Sequence, residues 1–302
     1  MSTQSNPTPE SFSTQLASPA STATICPFYW SVRRELSENR SIYLAPLAAA
    51  AVFLIGFLIN ITRGWTIAVH HGDLASDPFD LIAGLMMLTT ILVDVFYCAD
   101  ALYGERRDRS ILFWKSLPVS DLTTVLAKAS IPFVVVPFVA WAIAVSVQWI
   151  MLLLSSAVAL ATGASVSALW MDAPLIRVSL LLLYHLLTAH TLWPAPVFCW
   201  LLLVSGWARR AVLLWAVLPV VAIAGLEAIV FRTTHFAVMV ATRLIGAAPE
   251  TALNSPETFP TNPMVHITPA SFLAQPDLWL GIAFCVICLA AAVRLRRYQG
   301  PI

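Results

Sequence analysis

Histidine, cysteine and carboxylate side chains form only a few short groupings in this sequence. The tetrapeptide HHGD (70–73) contains residue types that bind zinc, and CVIC (285–288) has the spacing of half a zinc or redox site. No second group of ligands accompanies either motif. We therefore interpret HHGD as a solvated loop, with metal binding as the alternative, and the two cysteines as small packing residues in an apolar stretch.

Several polar residues lie in or beside long apolar stretches. A carboxylate such as Asp94 costs about 2.5–3.5 kcal/mol at the centre of a membrane. We favour a structural hydrogen bond between Asp94 and a neighbouring helix. The alternative is a transport path lined by Asp94, with Tyr97, Asp100 and His185 as further candidates. A spacing of five residues puts His185 and His190 on different faces of a helix, so this pair predicts no metal site.

The sequence predicts no catalytic site and no cofactor bound by this chain. Its acidic and histidine residues are too dispersed to specify a hydrolytic site. A phosphate-binding P-loop requires glycine directly before its lysine. The only lysines, Lys115 and Lys128, follow Trp114 and Ala127. Any ATP hydrolysis must therefore be carried out by another polypeptide, and we expect a protein that is not itself an enzyme.

The composition predicts a protein that lies mostly in lipid. Of 302 residues, 59% are hydrophobic and only 11% are charged, with a mean hydropathy of +0.81. Soluble domains carry about 25% charged residues. The five cysteines are scattered and do not suggest a disulfide framework.

Six apolar stretches are long enough to cross a membrane, which takes about 20 residues in a helix. They are continuous rather than alternating, so we predict an all-α protein with six transmembrane helices. Pro194 and Pro196 give a reason for a kink in the long fourth stretch. The predicted spans are 42–61, 79–100, 131–155, 176–204, 211–230 and 277–293.

Lysine and arginine predict the orientation, because they concentrate on the cytoplasmic side. If the spans alternate, four of the 17 basic residues fall on the outer side, namely Arg63, Arg177, Arg232 and Arg243. All the others fall on the inner side, so both termini and the loop 101–130 are predicted to be cytoplasmic. The inner residues are Arg33, Arg34, Arg40, Arg106, Arg107, Arg109, Lys115, Lys128, Arg209, Arg210, Arg294, Arg296 and Arg297.

The remaining segments suggest two regions. Residues 1–25 are rich in Ser, Thr, Pro and Ala and predict a disordered tail, whereas 26–302 form the membrane domain. Directly before the first span, aromatic residues beside arginines predict a helix lying in the membrane interface. The alternative is a helix that continues into the first span. In the external loop 231–276 we expect a short interfacial or re-entrant helix followed by irregular chain.

Between the second and third spans, the segment YGERRDRSILFWKSLPVSDL (103–122) gathers charge and then four bulky apolar residues. A short helix cannot bury those four side chains against itself. It can place them in the lipid headgroups or in a groove on another protein. Pro118 must end that helix, and Ser120 is placed to cap the next one, with Asp121 favourable in its first turn. The simpler interpretation is an ordinary positively charged cytoplasmic loop.

This segment resembles the cytoplasmic loop of the membrane-spanning subunits of type-2 ABC exporters. Those loops have a Glu-Arg pair, a small residue, an amphipathic run and then a Leu/Thr-Pro-Val/Ile-Ser motif. The family commonly has glycine where this chain has Ser110. The six-span layout is similar too, and 192–211 resembles the fourth span of one bacterial branch. The matching residues are Glu105, Arg106, Ser110, Leu117, Pro118, Val119 and Ser120.

The resemblance implies the permease subunit of an exporter in a bacterial inner membrane. The segment would be a coupling helix that binds a separate ATPase subunit, which holds the ATP and Mg. Two permease copies, expected as a homodimer, would bind two ATPases in membrane lipid and no nucleic acid, and would move an unidentified substrate by alternating access. The implied coupling residues are Glu105, Arg106, Arg107, Ser110, Leu112, Phe113, Trp114, Lys115, Leu117, Pro118 and Ser120.

The alternative is an ATP-independent membrane protein, such as an immunity or sensor protein that binds a different cytoplasmic partner through the same segment. Co-purification with an ATPase distinguishes the two.

Overall fold

The computed structural model describes residues 27–62, 78–116, 119–163, 165–172, 175–245 and 269–298. Every regular element within these ranges is helical, and no strand occurs among them. The predicted fold class is thus confirmed at the level of an all-helical protein. The predicted tail 1–25, the HHGD motif and most of the irregular part of the loop 231–276 lie outside the described residues.

The α-helices are numbered along the chain. Two segments of π-helix interrupt them, the first at Ile131–Val135 between α6 and α7 and the second at Thr188–Leu192 after α9. The helices are α1 (Pro27–Glu38), α2 (Ser41–Thr62), α3 (Pro78–Asp100), α4 (Tyr103–Arg107), α5 (Ser110–Ser116), α6 (Asp121–Ser130), α7 (Val136–Thr162), α8 (Val166–Asp172), α9 (Leu175–Leu187), α10 (Ala195–Trp207), α11 (Val212–Val230), α12 (His235–Ile245), α13 (Pro269–Ala274) and α14 (Pro276–Tyr298).

Among the described residues, five helical stretches are long and apolar enough to cross a membrane. A sixth is obtained if α9 and α10, which are bent by 50° relative to each other, form one span. The bend lies at Pro194, beside Pro196, as the prolines predict. The number and composition of these helices are those of an integral membrane protein.

The third span is longer than predicted. Residues Asp121–Thr162 form one stretch of 42 residues, which passes through the first π segment. Pro132 and Pro137 lie in or just after that segment and provide no backbone N–H, and a π-helical insertion lets the helix continue past them. A helix of this length is about 60 Å long, twice the hydrocarbon core of a bilayer, so part of it projects from the membrane.

The N-terminal helix is a separate element. Helix α1 ends at Glu38 and α2 begins at Ser41, so α1 does not continue into the first span. Val32 and Leu36 pack against the apolar core, whereas Tyr29 and Trp30 are more than half exposed. One face of α1 is therefore packed on the bundle and the other is open.

Two apolar clusters hold the spans together. One lies around Phe198 and Ile42, near the ends of the helices that meet α1 and α4, and the other lies around Met86 and Leu182. Helix α11 is the least enclosed of the five unbroken spans among the described residues, because only 11% of its apolar window is buried. The bundle thus has a packed centre between α2, α3, α7 and α10, with α11 at its edge.

Candidate functional site: a buried cluster of ion pairs

The loop between the second and third spans contains two short helices rather than one. Helices α4 and α5 are separated by Arg109, whose φ of 57° is left-handed and unfavourable for a residue with a side chain. Leu117 and Pro118 lie outside the described residues. Ser120 then caps α6 by accepting a hydrogen bond from the Thr123 N–H at 3.1 Å, which confirms the predicted cap.

Helix α5 has one buried apolar residue and an exposed apolar face. Ile111 is 1% exposed and anchors the helix, whereas Leu112 and Phe113 are 59% and 60% exposed. The Trp114 side chain is not among those described. Lys115 is also exposed, in the last turn. Two apolar side chains of α5 are therefore more than half exposed, while Ile111 fixes the opposite side of the helix to the bundle.

Glu105, on α4, accepts contacts from three basic side chains that come from three other helices. Its Oε1 lies 2.6 Å from Arg34 Nη2 on α1 and 3.2 Å from Lys128 Nζ on α6. Its Oε2 accepts a hydrogen bond from Arg296 on α14. Glu105 is 7% exposed, so these contacts are formed away from water.

A second buried carboxylate, Glu35 on α1, completes the arrangement. Lys128 Nζ lies 2.7 Å from Glu35 Oε1, and Arg34 Nη2 lies 3.1 Å from the same oxygen. The Tyr97 hydroxyl on α3 donates to Glu35 Oε2 at 3.0 Å. Tyr97, a candidate for the transport path, therefore contacts the ion pairs and links α3 to α1.

Arg296 also pairs with Asp121, at 3.2 Å between Nε and Oδ1. The three cations and three carboxylates balance and join four helices, α1, α4, α6 and α14, and the Tyr97 hydroxyl adds α3. We call this set the ion-pair cluster: Arg34, Glu35, Glu105, Asp121, Lys128 and Arg296.

Burial makes the ion-pair cluster sensitive to the loss of any member. Transfer of a charge out of water costs several kcal/mol, and only good geometry with opposite charges compensates for it. Glu35, Glu105, Lys128 and Arg296 are all at most 7% exposed. Removal of one carboxylate would leave basic groups uncompensated in a low-dielectric environment, so the helices that supply them are held in one arrangement.

Arg106 fastens α4 to a different helix. Its Nη1 donates to the backbone oxygen of Gly206 at 2.6 Å and to that of Ala208 at 3.2 Å. These carbonyls lie at the C-terminal end of α10, where positive charge is favourable. A Cβ atom on Gly206 would lie 3.3 Å from a methyl carbon of Leu102, so glycine allows α10 to approach the start of α4 closely.

The other predicted coupling residues are less tightly held. Arg107 is exposed and pairs with the exposed Asp108 at 3.0 Å. The Ser110 hydroxyl donates to the Glu105 backbone oxygen at 3.4 Å, so it links the two short helices. Asp100, a candidate for the transport path rather than for coupling, is exposed at the end of α3, close to Gly104.

The remaining candidates for the transport path lie in the interior of the bundle. Asp94 is fully buried, and neither of its carboxylate oxygens has a hydrogen-bond partner among the described residues. The expected hydrogen bond to a neighbouring helix is therefore not present in the described structure. His185 Nδ1 lies 2.9 Å from the Leu181 backbone oxygen, within the same helix. His190 lies in the second π segment, just before the bend of the fourth span, whereas His185 lies within α9.

Sequence analysis missed five members of the ion-pair cluster as site residues: Arg34, Glu35, Asp121, Lys128 and Arg296. The three basic residues were counted only toward the positively charged inner side, and Asp121 was noted only as favourable in the first turn of its helix. The available signal was a lysine or a glutamate at the end of an apolar stretch, where an unpaired charge would be costly. That signal marks the residues but does not say which of them pair.

At the opposite end of α14, a different contact holds α12. The Arg243 guanidinium lies 4.2 Å from the centre of the Trp193 ring, and its Nη1 donates to the Trp193 backbone oxygen at 3.1 Å. Its Nη2 donates to the backbone oxygen of Asp277. Trp193 Nε1 in turn donates to the Thr242 backbone oxygen at 3.0 Å. This Trp193–Arg243 contact joins α12 to the bend of the fourth span and to the start of α14.

Within the described residues, no three histidine, cysteine, aspartate or glutamate side chains are grouped so that they could hold a metal ion. Cys285 and Cys288 of the CVIC motif are buried and pack with Cys199 and Ala195 of α10.

The chain matches no family model, and no curated protein or solved structure matches it.

Proposed function

We propose that this protein is the permease subunit of an ATP-driven exporter of the type-2 ABC family and that α5 is its coupling helix. The observation that carries the proposal is an exposed apolar face on a short helix whose neighbours are fixed to the bundle by buried charge. Leu112 and Phe113 form that face, and Ile111 anchors it. Together with the sequence resemblance, this favours a helix that is pushed by another protein.

The ion-pair cluster supports this mechanism because it can transmit force. A partner that presses on α5 displaces α4, which adjoins it. Glu105 then carries the displacement to α1, α6 and α14, and Arg106 carries it to the end of α10. Since α6 is continuous with the third span, movement of the loop becomes movement of a membrane-spanning helix.

The chain contributes no bond-breaking step in this scheme. Two permease copies bind two ATPase subunits, whose closure on ATP favours one packing of the spans and whose opening favours the other. A ligand shifts such an equilibrium only as far as its affinities for the two states differ. Alternation between the packings moves the substrate, with Asp94 and His185 as candidates for its path.

The test is co-purification of the full chain with its ATPase from gently solubilised membranes of the native organism. We expect one ATPase subunit to be recovered for each copy of this chain. We expect Phe113→Ala to weaken the association between the two proteins at least tenfold. Phe96→Ala is the matched control, because Phe96 is 61% exposed on α3, close to the 60% of Phe113. Truncation of a hot-spot residue costs about 2 kcal/mol or more, which is more than tenfold in affinity.

Recovery of a cytoplasmic partner that is not an ATPase would favour the immunity or sensor alternative. Equal effects of Phe113→Ala and Phe96→Ala would remove α5 from the interface.

A further inference from the structure

The turn between α10 and α11 presents two arginines at the end of two apolar helices. We call residues 208–211 the arginine turn. Arg209 and Arg210 are both exposed, and neither forms an ion pair with any carboxylate of the described residues. This differs from the ion-pair cluster nearby, where every cation faces a carboxylate.

Two tryptophans flank the arginine turn. Trp207 ends α10 and Trp215 lies in the first turn of α11, and their rings meet edge to face with centres 5.4 Å apart and planes at 83°. They are 51% and 44% exposed. Tryptophan at the ends of spanning helices is characteristic of the interface between membrane and water. Two exposed tryptophans beside the turn are the pattern expected of a turn at the level of the lipid headgroups.

The surroundings of the turn add positive charge. Arg106 places one more guanidinium group against the backbone at the start of the turn. Arg106 also holds the backbone oxygens of Gly206 and Ala208, which are the carbonyls nearest to the turn. An anion from outside the chain is the natural counter-charge for Arg209 and Arg210.

We propose that the arginine turn binds the phosphate group of an anionic phospholipid. The planar guanidinium groups match the geometry of phosphate oxygens and can bind them in pairs. The indole rings of Trp207 and Trp215 pack against the glycerol and upper acyl chain of the same lipid. Their presence favours a lipid over free phosphate, because a free ion would gain nothing from two exposed rings. The site is separate from the proposed coupling helix and does not depend on it.

The test uses the full chain in nanodiscs of phosphatidylcholine, titrated with brominated phosphatidylglycerol, which quenches nearby tryptophan fluorescence. Each arginine near an anionic lipid surface contributes about fivefold to affinity. The double variant Arg209→Gln, Arg210→Gln should therefore bind brominated phosphatidylglycerol about 25-fold more weakly, as measured by the lipid concentration that gives half of the quenching. Brominated phosphatidylcholine should quench the unchanged protein and the double variant equally. The matched control is Arg294→Gln with Arg297→Gln on α14, whose arginines are also exposed. We expect this control to change the response less than threefold.

Three results would overturn the proposal: no loss in the Arg209→Gln, Arg210→Gln variant, an equal loss in the control, or displacement of the brominated lipid by millimolar inorganic phosphate. The second would indicate only a diffuse positive surface, and the third a site for free phosphate. If the glutamine pair folds poorly, Arg209→Lys with Arg210→Lys keeps the charge and removes the paired hydrogen bonds. The affinity of that variant for brominated phosphatidylglycerol should fall about fivefold, and an unchanged affinity would also contradict the proposed site.

Discussion

The two ends of α14 hold short helices to the bundle in different ways. At one end, Arg296 belongs to the ion-pair cluster, in which buried cations face buried carboxylates. At the other end, about 30 Å away along the helix, the Trp193–Arg243 contact uses an aromatic ring and backbone oxygens and no carboxylate side chain.

The difference indicates how easily the short helices at each end of α14 can be displaced. Buried charges that must balance are costly to separate, so the ion-pair cluster moves as a unit. A partly buried guanidinium over a ring contributes about 0.5–2 kcal/mol and loses little when it shifts. We therefore expect the loop of α4 and α5 to transmit force and α12 to yield more easily.

The largest effect is expected from Glu105→Gln. The substitution leaves three cations facing Glu35 and Asp121, so the free energy of unfolding should fall by about 3–5 kcal/mol. Addition of Lys128→Met restores the balance of charge and should recover most of the loss. Thermal unfolding in nanodiscs measures both variants. A loss below about 1 kcal/mol for Glu105→Gln would mean that the ion-pair cluster does not hold these helices.

A smaller effect is expected when the Trp193–Arg243 contact is crowded. In Gly281→Ala, the new Cβ would lie 2.8 Å from Arg243 Nη1 and 3.0 Å from Pro196 Cγ, so Arg243 must shift. Overpacking of this kind costs about 1–3 kcal/mol. Gly225→Ala is the control, because an added Cβ there meets nothing within 4 Å and alanine favours a helix. If the two variants unfold alike, the close approach at Gly281 is unimportant for stability.

Arg243→Lys should have a modest effect. Lysine keeps the positive charge but cannot lie flat over Trp193 while it donates to two carbonyls. We expect a loss of about 0.5–2 kcal/mol and faster proteolysis near α12. A loss as large as that of Glu105→Gln would contradict the distinction between the two ends.

The smallest effect is expected from Arg33→Gln, beside the ion-pair cluster. Arg33 is exposed, and its guanidinium lies 5.2 Å from the centre of the Trp30 ring. The free energy of unfolding should change by no more than about 0.5 kcal/mol. The neighbouring Arg34→Gln removes a partner of Glu105 and should cost several times more. Similar unfolding of the two variants would show that burial of the charge, which differs between them, does not set the cost.

Local features of the fold were predictable because they depend on neighbouring residues. A continuous apolar run predicts a spanning helix, Pro194 predicts the bend, and Ser120 predicts the cap of α6. The extent of the third span was not predictable in the same way. The predicted span covered 131–155, whereas the helical stretch runs from Asp121 to Thr162, through the first π segment and past Pro132 and Pro137.

The candidate site was predictable only in part. The exposed apolar pair Leu112 and Phe113 follows from the local sequence, since four bulky residues on a short helix cannot all be covered. The role of Glu105 does not follow from it. A charge in a loop is usually solvated, and nothing near Glu105 in sequence shows that three helices supply its partners.

Composition and local pattern were sufficient to predict an all-helical chain with membrane-spanning helices, and also where some of those helices bend or are capped. These features follow from hydrophobicity and backbone chemistry over short distances along the chain. The pairing of charges required the folded chain. Glu105 and Arg296 are 191 residues apart, and Lys128 and Glu35 are 93 apart. Ion pairs have no periodicity along a sequence, and their partners are chosen when the packing of the spans brings the helix ends together and excludes water.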